Sequence, residues 1–261
     1  MNAQPQPRIR LADFEGLPSD PPQPRNYQPL DLFAPVPPVA WVVENILVKG
    51  EATLLAAEGG AGKSYFALAL SLAVTAGDYF LDGRTEQGSV MYVDEEGSPA
   101  LALQRLAQLG ATDEMKEHLD YLSYPGVDLV RAPEKLLADV QQTRPILVVL
   151  DSHAKVARAS EENSNNEMGK VWDEGILRVA RWCDCAVLVI HHTSARGRIR
   201  GATSIVNSAD QVLSMFKEQD GSRTLYPSKP RRRMNKIRFA FKKVGLGQLA
   251  VVRHFDYPTW E

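Results

Sequence analysis

From residue 39 onward the chain alternates short, continuously apolar runs with longer stretches of helical spacing. The runs 52–57, 89–93, 119–123, 146–150 and 186–190 predict strands. Both faces of these runs are apolar, as a parallel sheet covered on two sides by helices requires. Between them, 63–76, 99–109, 133–142 and 165–182 predict helices. The C-terminal third changes character: 211–216, 223–226, 236–241 and 249–254 read as successive strands on short turns, and therefore as antiparallel. No internal repeat is present. The expected fold class is α/β, a mostly parallel sheet flanked by helices with an antiparallel C-terminal extension. The first 40 residues follow neither pattern. They hold ten of the 17 prolines, with Gln and Asp between them and few aliphatics. Such a stretch cannot bury enough surface to offset the entropy of ordering it. The expected organisation is a Pro-rich flexible arm over 1–38 and one folded core over 39–261.

Composition changes the picture in two places. The chain of 261 residues is 44% hydrophobic and 24% charged, which excludes collagen-like and wholly disordered classes. No apolar run approaches the roughly 18 residues that span a bilayer, and the N-terminus has no secretory apolar segment. The two cysteines, Cys183 and Cys185, flank Asp184, a poor spacing for zinc and better read as reduced thiols beside a buried strand. A cytosolic compartment is expected. The net charge of −2 hides an asymmetry: residues 221–254 contain ten Lys or Arg and no acid, so the remainder sums to −12. Opposite-sign segments of this kind point to a polyanionic partner.

The strongest chemical signal is Ala57-Glu58-Gly59-Gly60-Ala61-Gly62-Lys63-Ser64, continuing into Tyr65, between a buried strand and a helix. Small residues there let backbone N–H groups converge on phosphate oxygens while the helix aims its positive end at them. In such a loop Lys63 neutralises the β- and γ-phosphates and Ser64 ligates Mg²⁺. The strand 146–150 then ends in Asp151, a carboxylate at the sheet's carboxyl edge able to hold Mg²⁺ through water. The strand 89–93 ends in Asp94-Glu95-Glu96, and hydrolysis needs one such carboxylate to orient and deprotonate water. The strand 186–190 runs into His191-His192-Thr193 and then a loop holding Arg196, Arg198 and Arg200. Adjacent histidines on an extended chain point to opposite faces and do not readily share one ion. One of them is better placed to sense a γ-phosphate. The arginine loop suits a nucleic-acid backbone or a neighbouring subunit's phosphates.

These four elements in this order resemble the RecA-type P-loop NTPase core, and within it the small hexameric replicative DNA helicases of the RepA kind, related to the ATPase half of DnaB. The resemblance covers roughly residues 39–255. It implies ATP and Mg²⁺ as cofactors and Glu96, in Tyr92-Val93-Asp94-Glu95-Glu96, as the base that activates water. It implies His192 as the γ-phosphate sensor and places Arg200-Gly201-Ala202-Thr203 on the group's Arg-Gly-Ser-type motif. Lys229-Pro230-Arg231 matches its Lys-x-Arg, so Lys229 and Arg231, with Arg200, become candidate fingers that reach a neighbour's nucleotide. Arg196, Arg198, Arg232 and Arg233 are the candidate nucleic-acid contacts. The implied partners are single-stranded DNA, a homo-oligomer (a hexamer) and a replication protein met by the N-terminal arm, in a bacterial, phage or plasmid setting, with no membrane. The sequence departs from the group where Ala195-Arg196 stands for its usual Lys. The same residues would also serve a recombinase or mediator on single strands, or an ATP-gated adaptor.

Overall fold

The computed structural model describes residues 31–158, 164–194, 199, 201, 203–232, 234–245 and 248–254. The chain divides into two compact units, Met1–Pro38 and Val39–Glu261. In the described part of the first, Leu32, Phe33 and Val36 are exposed.

The second unit opens with a small antiparallel pair, β1 (Trp41–Val43) and β2 (Leu47–Val48). The phosphate-loop strand β3 (Ala52–Ala57) leads into α1 (Lys63–Ala76), and β4 (Val90–Asp94) into α2 (Pro99–Gln108) and the short α3 (Asp113–Glu117). Then come β5 (Leu119–Ser123), α4 (Pro133–Thr143), β6 (Leu147–Asp151) and α5 (His153–Ala157). A helical stretch follows as α6 (Asn165–Lys170), a π-helical segment (Val171–Ile176) and α7 (Leu177–Cys183). The chain closes with β7 (Ala186–His192), α8 (Thr203–Ser208), β8 (Gln211–Lys217), β9 (Arg223–Lys229), β10 (Ile237–Val244) and β11 (Gln248–Arg253).

Among the described residues nine strands form one sheet in the order β11-β10-β9-β8-β3-β7-β6-β4-β5. From β8 to β5 all neighbours are parallel, while β9, β10 and β11 are added antiparallel. This is the α/β architecture of a RecA-like P-loop NTPase. The strand 211–216, grouped by sequence with the antiparallel set, serves both parts: β8 pairs parallel with β3 and antiparallel with β9. The α8 crossover brings the chain back in the direction of β7, so the reversal begins one strand later.

Strands β3, β4 and β6 are buried along their whole length, with two apolar clusters packed on the two faces of the sheet. The first centres on Phe66 and Leu70 of α1 with Phe239 of β10, the second on the α6–α7 stretch through Trp172, Ile176 and Val179. Sheet register then decides what meets at the carboxyl edge: Ala57 is level with His192, and Asp94 with Asp151. No helix among the described residues is long and apolar enough to cross a membrane.

A candidate nucleotide site at the carboxyl edge of the sheet

The phosphate loop is shaped by its glycines. Gly60 and Gly62 take φ of 75° and 99°, a left-handed conformation that side chains with a Cβ rarely adopt. A Cβ on Gly62 would also stand 2.7 Å from the Phe241 ring of β10. The antiparallel extension therefore packs directly on the loop. Gly62→Ala faces about 1–2 kcal/mol of backbone strain together with that collision. We expect it to weaken ATP binding by about tenfold or more, read by calorimetric titration of the folded variant.

Lys63 is nearly buried, and its ammonium donates to the carbonyls of Ala57 at 3.0 Å and Glu58 at 2.8 Å. Burial lowers its pKa, and the neighbouring Asp151 and Glu96 carboxylates oppose that shift. His192 Nδ1 lies 3.3 Å from Lys63 Nζ, so that nitrogen is the acceptor and the proton belongs on Nε2, which faces Glu96 Oε1 at 3.6 Å. Ser152 donates to the same carboxylate oxygen at 2.5 Å. Across the edge, from β3 through β7 and β6 to β4, the order is therefore lysine, histidine, serine and glutamate.

The three acids at the end of β4 have separate fates. Asp94 is buried and its Oδ1 accepts the backbone N–H groups of Glu96 at 2.8 Å and Gly97 at 2.7 Å, while Tyr121 donates to its other oxygen. Glu95 is buried against Val127 N at 2.6 Å and Arg158 at 3.4 Å. Of these three, only Glu96 is exposed. Asp151, 3% exposed, accepts a hydrogen bond from the Tyr92 hydroxyl at 3.0 Å and another from Ser64. Burial pushes its pKa up to about 6, the Ser64 hydrogen bond working against the rise. The pairing of Ser64 with Asp151 fits Mg²⁺, which takes one or two protein oxygens and keeps several waters. The open space over Gly59 and Gly60 fits a polyphosphate. Beside the loop a cavity of about 370 Å³ is lined by Glu58, Gly60, Ala61, Thr193 and Phe216 among others.

A family model described as an AAA domain matches residues 18–198. The chain belongs to the AAA domain family. This AAA-domain chain is also 29% identical over 176 residues to the DNA repair protein RadA of Aquifex aeolicus (strain VF5), an alignment covering 66% of this chain and 35% of that protein. It thus spans about a third of the length of that relative. With the fold, these matches make the AAA-domain chain a RecA-like P-loop ATPase that binds nucleotide.

The structure brings together Glu58 to Ser64, Glu96, Asp151 and His192. Tyr65 points away along α1, where its hydroxyl meets Gln108 and its ring meets Phe241. Lys229 and Arg231 lie at the opposite end of the sheet, since Lys229 is level with Val212 while the loop end of β8 is level with Arg223. Lys229 donates to the carbonyls of Val206, Asn207 and Ala209 at 2.7–2.9 Å, closing the end of α8. Arg231 holds buried Asp210 at 2.9 Å, and Arg232 forks onto Glu51 at 2.6 and 2.7 Å. Arg196, Arg198, Arg200 and Arg233 lie outside the described residues, as does the arm up to residue 30.

Two residues at the site were not singled out from the sequence. Ser152 directly follows Asp151, so its place at the edge was legible there. Arg223 Nε donates to Ala61 O at 3.2 Å with the guanidinium 4.8 Å from the Phe241 ring centroid, a contact that only the antiparallel register creates.

Proposed function

We propose that the chain is an ATP-driven motor on single-stranded DNA, a ring-forming (hexameric) replicative helicase of the RepA kind that hydrolyses ATP at subunit interfaces. The observation that carries this reading is the position of Glu96, the one acid of its cluster that is exposed and whose carboxylate, among the described residues, accepts from Ser152 but from no backbone N–H. It faces His192, which in turn faces Lys63. In this reading Glu96 turns from Ser152 to the attacking water and takes its proton. His192 reports the γ-phosphate to the arginine-bearing chain beyond β7. Lys63 holds the phosphate charge, and Ser64 with Asp151 holds Mg²⁺, whose part is to neutralise charge on the β- and γ-oxygens.

Lys229 and Arg231 are too far along the sheet to serve their own loop, which favours a role on a neighbour's nucleotide. Much of the basic C-terminal segment is occupied within the fold: Arg238 pairs with Asp220 at 2.8 Å and Arg253 with Asp82 at 2.9 Å, besides the pairs above. DNA contact then falls to the exposed Lys236, Lys242 and Lys243 and to Arg196, Arg198, Arg200 and Arg233. Residues 1–38 are assigned as the arm that meets a replication partner, and 39–261 as the motor core. The name of the RadA relative favours a second reading, a repair or recombination mediator with the same hydrolytic site. A duplex-unwinding assay separates the two, since only the helicase displaces a strand.

Steady-state ATP hydrolysis with and without single-stranded DNA tests the proposal, stimulation supporting it and indifference to DNA contradicting it. A mixing experiment tests the interface. Glu96→Gln and Arg231→Ala should each be inactive alone, yet regain part of the activity when combined, because one supplies the finger and the other the base. Thermal unfolding of Arg231→Ala must accompany this, since buried Asp210 loses its nearer cation and keeps Arg181 at 3.5 Å and the Ala52 N–H at 3.0 Å.

A further inference from the structure

Beneath the site, on the face of the sheet away from α1, lies a buried group that the reaction above does not use. Trp172, in the π-helical segment, donates its indole N–H to His153 Nε2 at 3.1 Å. The His153 ring is stacked on Trp172 and meets His191 edge-on at 5.2 Å between centroids. Trp172, His153 and His191 are 0%, 1% and 5% exposed. An indole N–H can only donate, so His153 accepts through Nε2. Each histidine is a direct chain neighbour of a site residue. His153 follows Ser152, which holds Glu96, and His191 precedes His192.

The other end of the same helical stretch is also tied. Asn165 Oδ1 accepts from the Thr203 hydroxyl at 3.1 Å and from Ser204 N at 3.0 Å, fixing the start of α8. α8 begins just beyond the arginines at 196, 198 and 200. One helical stretch thus bridges the chain beyond β7 and the ends of β6 and β7. A π-turn at that bridge inserts an extra residue into the helix, and such turns gather at functional sites. A buried hydrogen bond gives the helix a directional hold on the β6 end, because separating the two breaks the one hydrogen bond that the buried indole N–H makes among the described residues.

We infer that Trp172 is a positioning residue that couples α8 to the hydrolytic edge through its hydrogen bond to His153. This rests on the DNA-motor reading above. When DNA moves α8, the helical stretch shifts, and Trp172 carries the shift to Ser152 and Glu96.

The test compares wild type, Trp172→Phe, His153→Phe, the double variant and His153→Gln in ATP hydrolysis with and without an oligo-dT single strand. Thermal unfolding and the KM for ATP are recorded for each. Both single Phe variants should keep basal rate and KM within about twofold and lose about tenfold in DNA-stimulated kcat. The double variant should be no worse than either, and His153→Gln, whose amide oxygen can accept from the indole, should keep the stimulation. Full stimulation in both Phe variants overturns the inference, as does a proportional loss of basal and stimulated rates. A wild type that DNA does not stimulate overturns the motor reading and this inference with it, whereas a stimulated wild type with equally stimulated variants overturns the inference alone.

Discussion

Glu96→Gln is expected to bind ATP with near wild-type affinity and to hydrolyse it about 10²–10⁴-fold more slowly, the range a positioned general base supplies. The amide keeps the size of the side chain and can still accept from Ser152, so the edge should keep its shape. What it loses is the capacity to take a proton from water. The neighbouring acids give the contrast. Asp94→Asn and Glu95→Gln weaken charge-assisted hydrogen bonds to backbone N–H groups at 2.6–2.8 Å. Their cost should appear first in thermal stability, at about 1–3 kcal/mol each. Single-turnover hydrolysis beside thermal unfolding separates the two behaviours. An active Glu96→Gln would transfer the base role elsewhere.

Asp151→Asn should do two opposite things at once. The buried carboxyl titrates near 6 in the folded chain, against an ordinary value of 3.8. A raised folded-state value means that the native state favours the protonated form. That contribution to stability is fully present below the ordinary value and is lost as pH rises through about 6. At pH 7, in chelator and without nucleotide, ionised Asp151 therefore costs the fold about 2–3 kcal/mol, taking about 1.4 kcal/mol for each unit. Asparagine removes the charge and still accepts from Tyr92, so the nucleotide-free variant should melt several degrees higher at pH 7 and lose that advantage near pH 4. In hydrolysis the same variant should be almost inactive, having lost the anionic oxygens that hold Mg²⁺. Thermal melts at pH 4, 5.5 and 7 read the first effect and Mg²⁺-dependent hydrolysis the second. A variant less stable than wild type at pH 7 would contradict the buried-charge account.

The phosphate loop was legible because its physics is local. Two glycines that must take positive φ, and a lysine that must follow them at a helix start, stand within a few residues on the chain. The carboxyl-edge residues Asp151 and His192 were legible for a related reason, since an apolar strand ending in a polar residue announces its own edge. The choice among Asp94, Glu95 and Glu96 was different. Composition gives three equal acids, and it is Tyr121, Val127 and Arg158, each remote in sequence, that lock two of them. The resemblance pointed to Glu96; the spacing did not. The charge asymmetry also read more strongly in sequence than in space, because Glu51, Asp82, Asp210 and Asp220 fold back onto the basic segment. Lys229 and Arg231 read as a local pair, yet their place at the far end of β9 follows from sheet register, which no short motif records. The π-turn at Val171–Ile176 also left no mark, since its apolar spacing is that of an ordinary helix.

The central claim is hydrolysis at a site completed between subunits and driven by DNA. It is tested most directly by the ATP hydrolysis rate per subunit of the wild-type chain across a protein concentration series, at saturating ATP and Mg²⁺, with and without single-stranded DNA. The account predicts a rate per subunit that is almost nil in dilute protein, climbs steeply through assembly and rises further with DNA, since a finger in trans is worth about 10³–10⁵ in rate. A rate per subunit that is flat in concentration and unmoved by DNA would contradict it.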